Sequence, residues 1–410
     1  MNGGWLDIAV VGDSNTMSAL SGSYGYVHGL NAAAVALGKS IYGTGILPPM
    51  TRYESPIGTP ATLGLGDWRC STTSRLALSP RASGTGSGGS TAYAGWTPGN
   101  NFVQYGVQDS GSVKASVSDW AYMPGTTPAL WDGYSGTWLN SNHPLAVAGT
   151  AIRYRVTHSV DPSGNSAGLR LAAVQDSGST LILNQNYTTI GTAGSIARTD
   201  LPFTAAGTSG IRCSYGYGSV PPFNVFSNSV YRASAGLGVT SHLYYSGGTT
   251  AQISSVISGA SSLFFQTLLA DMRTRQIAAG GNGQVMILSH SGINDSVADW
   301  QSKQQTIHDT YRSAWSSLGF PDADLAFVAM VGVMRNSGDT SMNGVSLGPI
   351  RQEARTWAMT TPGVTFIDMS EVTSNAELVA NSWYQGAVTQ HLSNAGYDEM
   401  SSRILTKLAG

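Results

Sequence analysis

Ser14 is the first residue whose type and position suit catalysis. It follows a short apolar run in the stretch IAVVGDSNT, where Asp13 and Asn15 flank it. The carboxyl end of a buried strand is where α/β sheets bind ligands, and the backbone N–H groups at a helix start are free to donate. Ser14 is therefore a candidate nucleophile. The alternative, that Asp13 or Ser14 only caps a helix, stays open.

Two later stretches could supply hydrogen-bond donors to a developing negative charge. In YYSGGTTAQI, Gly247 precedes a predicted helix, and a glycine there lets its N–H approach a ligand closely. In SHSGIND, Gly292 allows a tight turn and Asn294 offers a side-chain amide after a predicted strand. Each stretch is also compatible with an ordinary loop, in which Asp295 caps the next helix. His290, beside this turn, is compatible with either the site or the core.

A candidate general base lies near the end of the chain. His391, in VTQHLSNAGYDEM, directly precedes the last predicted helix. A serine nucleophile needs such a base within hydrogen-bond reach. A lone histidine is also often structural, so His391 gains significance only together with the other candidates.

The two ends of the chain contain the elements that must position these residues. Strands are predicted at 7–11, 284–290, 324–331 and 364–370, and helices at 253–272, 299–318, 349–360 and 393–408. Short apolar strands that alternate with helices indicate a parallel sheet covered on both faces. The predicted core is therefore a three-layer α/β/α fold.

The middle of the chain, residues 55–240, lacks helical periodicity and is predicted to be an inserted β-rich domain. Alternating segments such as AIRYRVTHSV, and a hairpin that turns at residues 176–178, favour a β-sandwich. The catalytic domain is then discontinuous and consists of residues 1–54 and 241–410.

Aromatic residues are frequent in this insertion. Their rings could bind the faces of sugars or simply fill the core of the sandwich. The tryptophans concerned are Trp96, Trp120, Trp131 and Trp138.

Taken in chain order, the candidate residues resemble the four signature blocks of the SGNH (GDSL-like) hydrolase superfamily. The blocks are Gly12-Asp13-Ser14, Gly247, Gly292-Ile293-Asn294-Asp295, and His391 with the residues after it. The resemblance covers residues 1–50 and 240–410 and implies a flavodoxin-like core. It implies that Ser14 is the nucleophile and His391 the general base.

The resemblance also implies an oxyanion hole. Its donors would be the N–H groups of Ser14 and Gly247 and the side chain of Asn294. Donors aimed at a developing negative oxygen are what acyl transfer requires. Asp13 and Asp295 would support the turns that carry these groups.

The sequence departs from the superfamily pattern in two places. The position three residues before His391, where the family usually has an aspartate, is Val388. His391 would then act in a Ser–His dyad or with a carboxylate from elsewhere, for which Asp368 is the nearest candidate. The second departure is the long separation between Ser14 and Gly247, which the insertion fills.

Composition narrows the function classes. Charged residues make up only 11% of the 410 residues, against a usual ~25%, and the formal net charge is −2. The sequence shows no basic stripe, which argues against nucleic-acid binding, and no apolar run long enough to span a membrane. A polar, weakly charged surface of this kind suits an extracellular or virion-associated protein.

Neither a metal nor another cofactor is expected. Cys70 and Cys213 are the two cysteines, and two thiols cannot form a tetrahedral zinc site alone. They are either a disulfide or two separate small residues.

Three functions are compatible with these features. The first is a serine esterase that removes acetyl groups from a polysaccharide, or hydrolyses another small acyl ester. The second is a non-catalytic glycan-binding or virion structural protein that keeps a decayed core of the same fold, which Val388 favours slightly. The third is a lipase or thioesterase, against which the sequence shows no long apolar lid.

Overall fold

The structure is a computed structural model. It describes residues 4–13, 15–16, 25–44, 67–69, 81–82, 102–103, 107–109, 112–114, 117–119, 136–139, 143–159, 169–175, 181–187, 196–206, 210–217, 225–245, 249–259, 262–295, 300–332, 335, 337–385 and 391–409. Ser14, Gly247, Val388 and Cys70 lie outside the described residues, as do Trp96, Trp120 and Trp131.

Strands occur along the whole length of the described chain. They are β1 (Leu6–Asp13), β2 (Asp67–Arg69), β3 (Arg81–Ala82), β4 (Phe102–Val103), β5 (Val107–Asp109), β6 (Ser112–Lys114), β7 (Val117–Asp119), β8 (Gly136–Leu139), β9 (Ala151–Ser159), β10 (Leu169–Gln175), β11 (Leu181–Tyr187), β12 (Ile196–Thr204), β13 (Ile211–Tyr217), β14 (Val225–Arg232), β15 (Leu237–Tyr245), β16 (Val285–Ser291), β17 (Leu325–Val331) and β18 (Val364–Asp368).

Helices are described only near the two ends of the chain. They are α1 (Tyr26–Ala36), α2 (Thr250–Gly259), α3 (Ser262–Ala278), α4 (Trp300–Ser317), α5 (Gly348–Thr360), α6 (Met369–Val372), α7 (Asn375–Ala380) and α8 (Asn394–Ala409).

The core is a five-stranded sheet with the strand order β15-β1-β16-β17-β18. All four neighbouring pairs are parallel. Alternate residues of β1 enter two separate hydrophobic clusters, Ala9 and Val11 with α2 to α5, and Ile8 and Val10 with α1 and α6 to α8. Because helices cover both faces, the central strands β1, β16 and β17 are mostly apolar. The predicted three-layer, flavodoxin-like core is confirmed.

The core differs from the prediction in several details, since α1, α6 and α7 match none of the predicted helices. β15 was not predicted, and it begins at Leu237, before the predicted domain boundary at 240/241. The helix expected over 253–272 is instead two helices, α2 and α3, with residues 260–261 between them outside the described residues. The boundary of the inserted domain is therefore better placed before β15.

The insertion contains a sandwich of two antiparallel sheets, as predicted. One sheet has the order β11-β10-β13-β8-β2 and the other β12-β9-β14. Side chains from both sheets share one hydrophobic cluster, which includes Ile152, Tyr154 and Val156 of β9 and Leu171 of β10. β10 and β11 pair antiparallel, as the predicted hairpin requires, and its turn at 176–178 lies outside the described residues.

The outer face of β9 is covered by a core helix. Arg153 is exposed, but Arg155 and Thr157 on the same face are buried. Arg155 pairs with Asp200 (Nε–Oδ1, 2.7 Å) and donates from Nη1 to the hydroxyl of Thr274 on α3 (3.1 Å). The sandwich is thus attached to the α/β core through polar contacts with α3.

A fully buried ion pair connects β1 to α3. Asp7 and Arg275 are both 0% exposed and form a direct pair. The hydroxyl of Tyr42 donates to Asp7, and Arg275 donates to the carbonyl of Thr44. Gly238 on β15 lies against this pair, where a Cβ would overlap Asp7 and Arg275. The pair therefore fixes α3 and the first two core strands relative to one another.

We predict that Arg275→Met lowers the free energy of unfolding by about 3–5 kcal/mol, because it leaves Asp7 buried without its partner. Arg312→Met removes the exposed pair with Asp322 (3.2 Å, 26% and 68% exposed) and should cost at most about 1 kcal/mol. Urea denaturation of both variants measures the difference. Equal losses would show that the buried pair contributes no more than a surface pair.

Candidate active site

The order of the core strands creates a crevice at one edge of the sheet. The next strand of this sheet along the chain, β15, pairs with β1 on one side, and β16 pairs with β1 on the other. At such a switch point the connections leave in opposite directions, and ligands of α/β sheets bind outside the carboxyl ends of the two strands. Here the ends are Asp13 on β1 and Ser291 on β16.

The turn after β1 is fixed on both sides of position 14. Oδ1 of Asp13 accepts from the backbone N–H of Asn15 (2.8 Å), and the N–H of Thr16 donates to the carbonyl of Asp13 (3.0 Å). The hydroxyl of Tyr397 on α8 donates to the carbonyl of Asn15 (3.0 Å). The residues next to Ser14 are therefore attached to the helix that follows His391.

Asp13 is completely buried, which determines its electrostatics. Burial raises the pKa of Asp13 to about 7; its hydrogen bond from the Asn15 N–H opposes this shift, while the charge of Asp295 adds to it. The acceptor contacts of Asp13 go to its own turn. This geometry suits a residue that shapes the turn, which was its predicted role.

The turn after β16 positions Asn294. Gly292 has a φ of 112°, a conformation that favours glycine, and the N–H of Asp295 donates back to the carbonyl of Gly292 (3.1 Å). The carbonyl of Asn294 accepts from Nδ2 of Asn343 (3.0 Å). Asn294 itself is partly exposed at the edge of the crevice.

Asp295 connects this turn to α2. Its Oδ1 accepts from the backbone N–H of Thr250 (2.8 Å), and its Oδ2 accepts from the Thr250 hydroxyl (2.7 Å). The helix that Asp295 caps is thus α2, which follows Gly247 in sequence, and not the next helix, α4. Thr250 was not predicted, because a hydroxyl residue two positions after Gly248 is no more than a weak local signal.

Below this turn lies a layer of buried hydrogen bonds. The Ser291 hydroxyl accepts from Nε2 of Gln304 (2.7 Å) and from Nε1 of Trp300 (3.2 Å), and it lies 2.8 Å from the Thr250 hydroxyl. These contacts hold the end of β16 to α4 and α2. Sequence reasoning missed them because their residues lie far apart in the chain.

His391 lies in the segment that leads into α8. It is 8% exposed. Its carbonyl accepts from the N–H of Gln385 (3.0 Å), and the neighbouring Leu392 pairs with Tyr384 in an antiparallel bridge. Burial lowers the pKa of His391 below its ordinary value of 6.5. The imidazole is therefore neutral at neutral pH, as a general base must be.

Asp368 is engaged elsewhere. Its carboxylate pairs with Arg351 (3.2 Å) and Arg355 (2.8 Å) and accepts from the N–H of Ser370 (2.9 Å) at the start of α6. It ends β18, three strands from β1, a distance of about 14 Å at normal strand spacing. These contacts argue against Asp368 as the carboxylate partner of His391.

His290 belongs to the core. It is completely buried on β16, and its ring meets that of Tyr26 edge to face at 5.1 Å. Burial lowers the pKa of His290 to about 3, so its ring is neutral.

Cys213 is a buried free thiol on β13.

Within the described ranges, no group of three or more His, Cys, Asp or Glu side chains is arranged to hold a metal ion. The helices described here include none that is long and apolar enough to cross a membrane.

Comparison with known proteins extends the assignment of the fold. No protein-family model and no curated protein sequence matches this chain. A solved structure of a peptidoglycan O-acetylesterase is similar with a TM-score of 0.50 and 12% identity, covering 100% of this chain and 91% of that one. This similarity concerns the fold.

Two further solved structures have lower scores. A Bacillus subtilis protein has a TM-score of 0.32 and 11% identity, covering 72% of this chain and 84% of its own. A family 2 carbohydrate esterase with a carbohydrate-binding domain, from Corynascus thermopiles (Myceliophthora fergusii), has a TM-score of 0.28 and 10% identity, covering 67% and 93%. Scores this low carry no argument about the fold.

We predict that Asp295→Ala lowers the free energy of unfolding by about 1–2 kcal/mol, since it removes the cap of α2 and leaves the Thr250 N–H without its acceptor. Asp309→Ala, at an exposed position on α4, is the matched control and should change stability by less than about 0.5 kcal/mol. Chemical denaturation compares the two. An unaltered stability in Asp295→Ala would contradict the connection between α2 and the Asn294 turn.

Proposed function

We propose that this protein is a serine esterase of the SGNH type, with Ser14 as nucleophile and His391 as general base. The observation that carries the proposal is the convergence of four separate segments on one edge of the sheet. Tyr397, six residues after His391, binds the carbonyl beside Ser14, and Asp295, beside Asn294, binds the helix that follows Gly247. The signature residues thus lie next to contacts that join their segments in pairs.

The chemistry follows from the roles of these residues. The Ser14 hydroxyl attacks the acyl carbonyl while His391 takes its proton, and the oxyanion accepts from the N–H groups of Ser14 and Gly247 and the amide of Asn294. Collapse of this intermediate expels the alcohol, which receives the proton from His391. Water, activated by the same histidine, then releases the acid and regenerates Ser14.

A dyad is the version of this mechanism that the residues favour. Val388 stands at the usual position of the acid, and Asp368 is held by two arginines. Burial alone keeps His391 neutral and able to accept a proton. A dyad stabilises the imidazolium less than a triad does, so a dyad mechanism predicts modest turnover.

The proposed substrate is an acetylated polysaccharide. A sandwich docked on α3 beside the core, and a surface rich in hydroxyls and amides rather than charges, support this choice. An extracellular or virion-associated location belongs to the same proposal. In the assays below, a non-catalytic glycan-binding protein would hydrolyse no ester, and a lipase or thioesterase would prefer longer acyl chains.

We predict that Ser14→Ala lowers p-nitrophenyl acetate hydrolysis by at least about a thousandfold, with an unchanged thermal unfolding curve. The control is Ser316→Ala, an exposed serine at the far end of α4, which should keep full activity. Wild-type rates should fall from acetate to butyrate to octanoate esters. Serine-independent hydrolysis would overturn the assignment, and a preference for octanoate would indicate a lipase.

We predict that kcat/KM falls as the pH is lowered, with a midpoint below 6.5. The reason is that only neutral His391 accepts the serine proton and that burial lowers its pKa. The pH profile of the wild type measures this midpoint. Asp13 also titrates, with a pKa of about 7, so Asp13→Asn is the control and should retain the midpoint. An acid limb near pH 7 that disappears in Asp13→Asn would assign the titration to Asp13 instead.

A further inference from the structure

Arg335 lies in the segment after β17, between the parts of the chain that carry His391 and Asn294. On one side, Nδ2 of Asn375 donates to the Arg335 carbonyl and lies 3.4 Å from the Tyr384 hydroxyl. Tyr384 pairs with Leu392, the neighbour of His391. The backbone of Arg335 is thereby anchored to the His391 segment.

The other side of Arg335 faces the Asn294 turn. Its Nη1 donates to the carbonyl of Ser341 (3.2 Å). The next residue, Met342, donates from its N–H to the carbonyl of Ile293 (2.7 Å), and Asn343 donates to the carbonyl of Asn294. Through Ser341, the guanidinium is therefore one residue away from a direct contact with the segment that carries Asn294.

Among the described residues, no carboxylate pairs with the guanidinium of Arg335. Most arginines in the described part of the chain pair with carboxylates, among them Arg155, Arg198, Arg273, Arg275, Arg312, Arg351, Arg355 and Arg403. Arg335 forms no ion pair with any described residue, although its side chain is partly buried. The acid closest to it in sequence, Asp339, is paired with Arg351 (2.6 Å).

An unpaired guanidinium beside a ligand crevice has a definite chemical preference. Its planar set of N–H donors matches the two oxygens of a carboxylate, and a charge-assisted hydrogen bond is about twice as strong as a neutral one. Exposed Met342 and Asn343 on the same loop offer an apolar contact and an amide to the rest of a sugar ring. A neutral glycan would use neither the charge nor the planar geometry of Arg335.

We propose that Arg335 forms a subsite for a carboxylate-bearing sugar, so that the substrate is an acetylated acidic polysaccharide. This inference rests on the proposed function for the identity of the reaction, but the binding site itself does not require catalysis.

The alternative is that Arg335 has only a structural role, in which its Nη1 holds the loop that contains Ser341.

The decisive assay compares the methyl 2,3,4-tri-O-acetyl glycosides of glucuronic acid and of xylose, which carry the same acetyl groups and differ in the carboxylate. The wild type should show a kcat/KM about tenfold or more higher for the acidic compound. Arg335→Gln should bring this ratio close to one, and added salt should lower the wild-type ratio. The control Arg355→Gln, at a partly exposed arginine already paired with Asp368 and Glu371, should keep the wild-type ratio.

Loop disruption alone would lower both rates together and leave their ratio as in the wild type, which would overturn the proposal. So would a wild type without preference for the acidic compound. A binding assay keeps the test independent of hydrolysis: galacturonic acid trisaccharide is titrated into Ser14→Ala and into Ser14→Ala/Arg335→Gln by calorimetry. We expect about tenfold weaker binding in the double variant.

The two arms separate this proposal from the esterase assignment. If no ester is hydrolysed but trisaccharide binding depends on Arg335, the esterase assignment fails and the anionic subsite stands. If esters are hydrolysed through Ser14 but neither the ratio nor the binding depends on Arg335, the subsite fails and the esterase stands.

Discussion

The position of β1 inside the parallel sheet is the constraint on which the rest of the structure depends. β1 is the first element of the chain, yet it lies between β15 and β16, with the chain leaving on opposite sides of it. This arrangement requires β1 to be apolar on both faces, which its sequence provides, and it opens a crevice at its carboxyl end. The long insertion is tolerated because it occurs between α1 and β15, away from the strand pairs that define the crevice.

Contacts at both ends of the sheet hold the candidate site in place relative to β1. At the base of the sheet, the buried Asp7–Arg275 pair fixes β1 against α3, and the insertion docks on the same helix through Arg155. At the other end, a distant helix donates a hydrogen bond to each of the two turns. The Tyr397 hydroxyl donates to the turn after β1, and the Thr250 N–H donates to the turn after β16. Loops that carry catalytic groups need such support, because backbone displacement of even about 1 Å can cost a hundredfold in rate.

The charges of the residues around the candidate site are consistent with the proposed mechanism. Burial keeps His391 neutral. Oδ1 of Asp13 accepts from its own turn, and both oxygens of Asp295 accept from Thr250. These contacts support the proposed structural role of the two acids, and the guanidinium of Arg335 pairs with no carboxylate among the described residues. A site with a neutral base and a cation at its mouth suits an anionic ester substrate better than an apolar one.

Periodicity was sufficient to predict the central strands and most helices, because β16, β17 and α4 are long and strongly patterned. It failed for β15, an edge strand whose sequence, LGVTSHLYY, mixes polar and apolar residues. The contacts of Asp368 could not be predicted either, since its place at a strand end is equally suited to a catalytic acid and to an ion pair with Arg351 and Arg355.

The candidate site, like the fold, could be predicted only in part from the sequence. The residue types and their order were sufficient to propose Ser14, Asn294 and His391, since each signature block is local in sequence. The partners that fix these segments, Thr250 and Tyr397, act over long sequence separations, and only the folded chain brings them together. The sequence could not single out Arg335. What distinguishes this arginine is that it pairs with no carboxylate among the described residues, and only the folded chain shows this.

A crystal structure of the protein after reaction with a small fluorophosphonate tests the central claim most directly. The account predicts phosphorus bonded to Oγ of Ser14, with the phosphonyl oxygen within hydrogen-bond distance of the N–H groups of Ser14 and Gly247 and of Nδ2 of Asn294, and with His391 beside the adduct. An unmodified Ser14, or a phosphonate bonded to another residue, would contradict it.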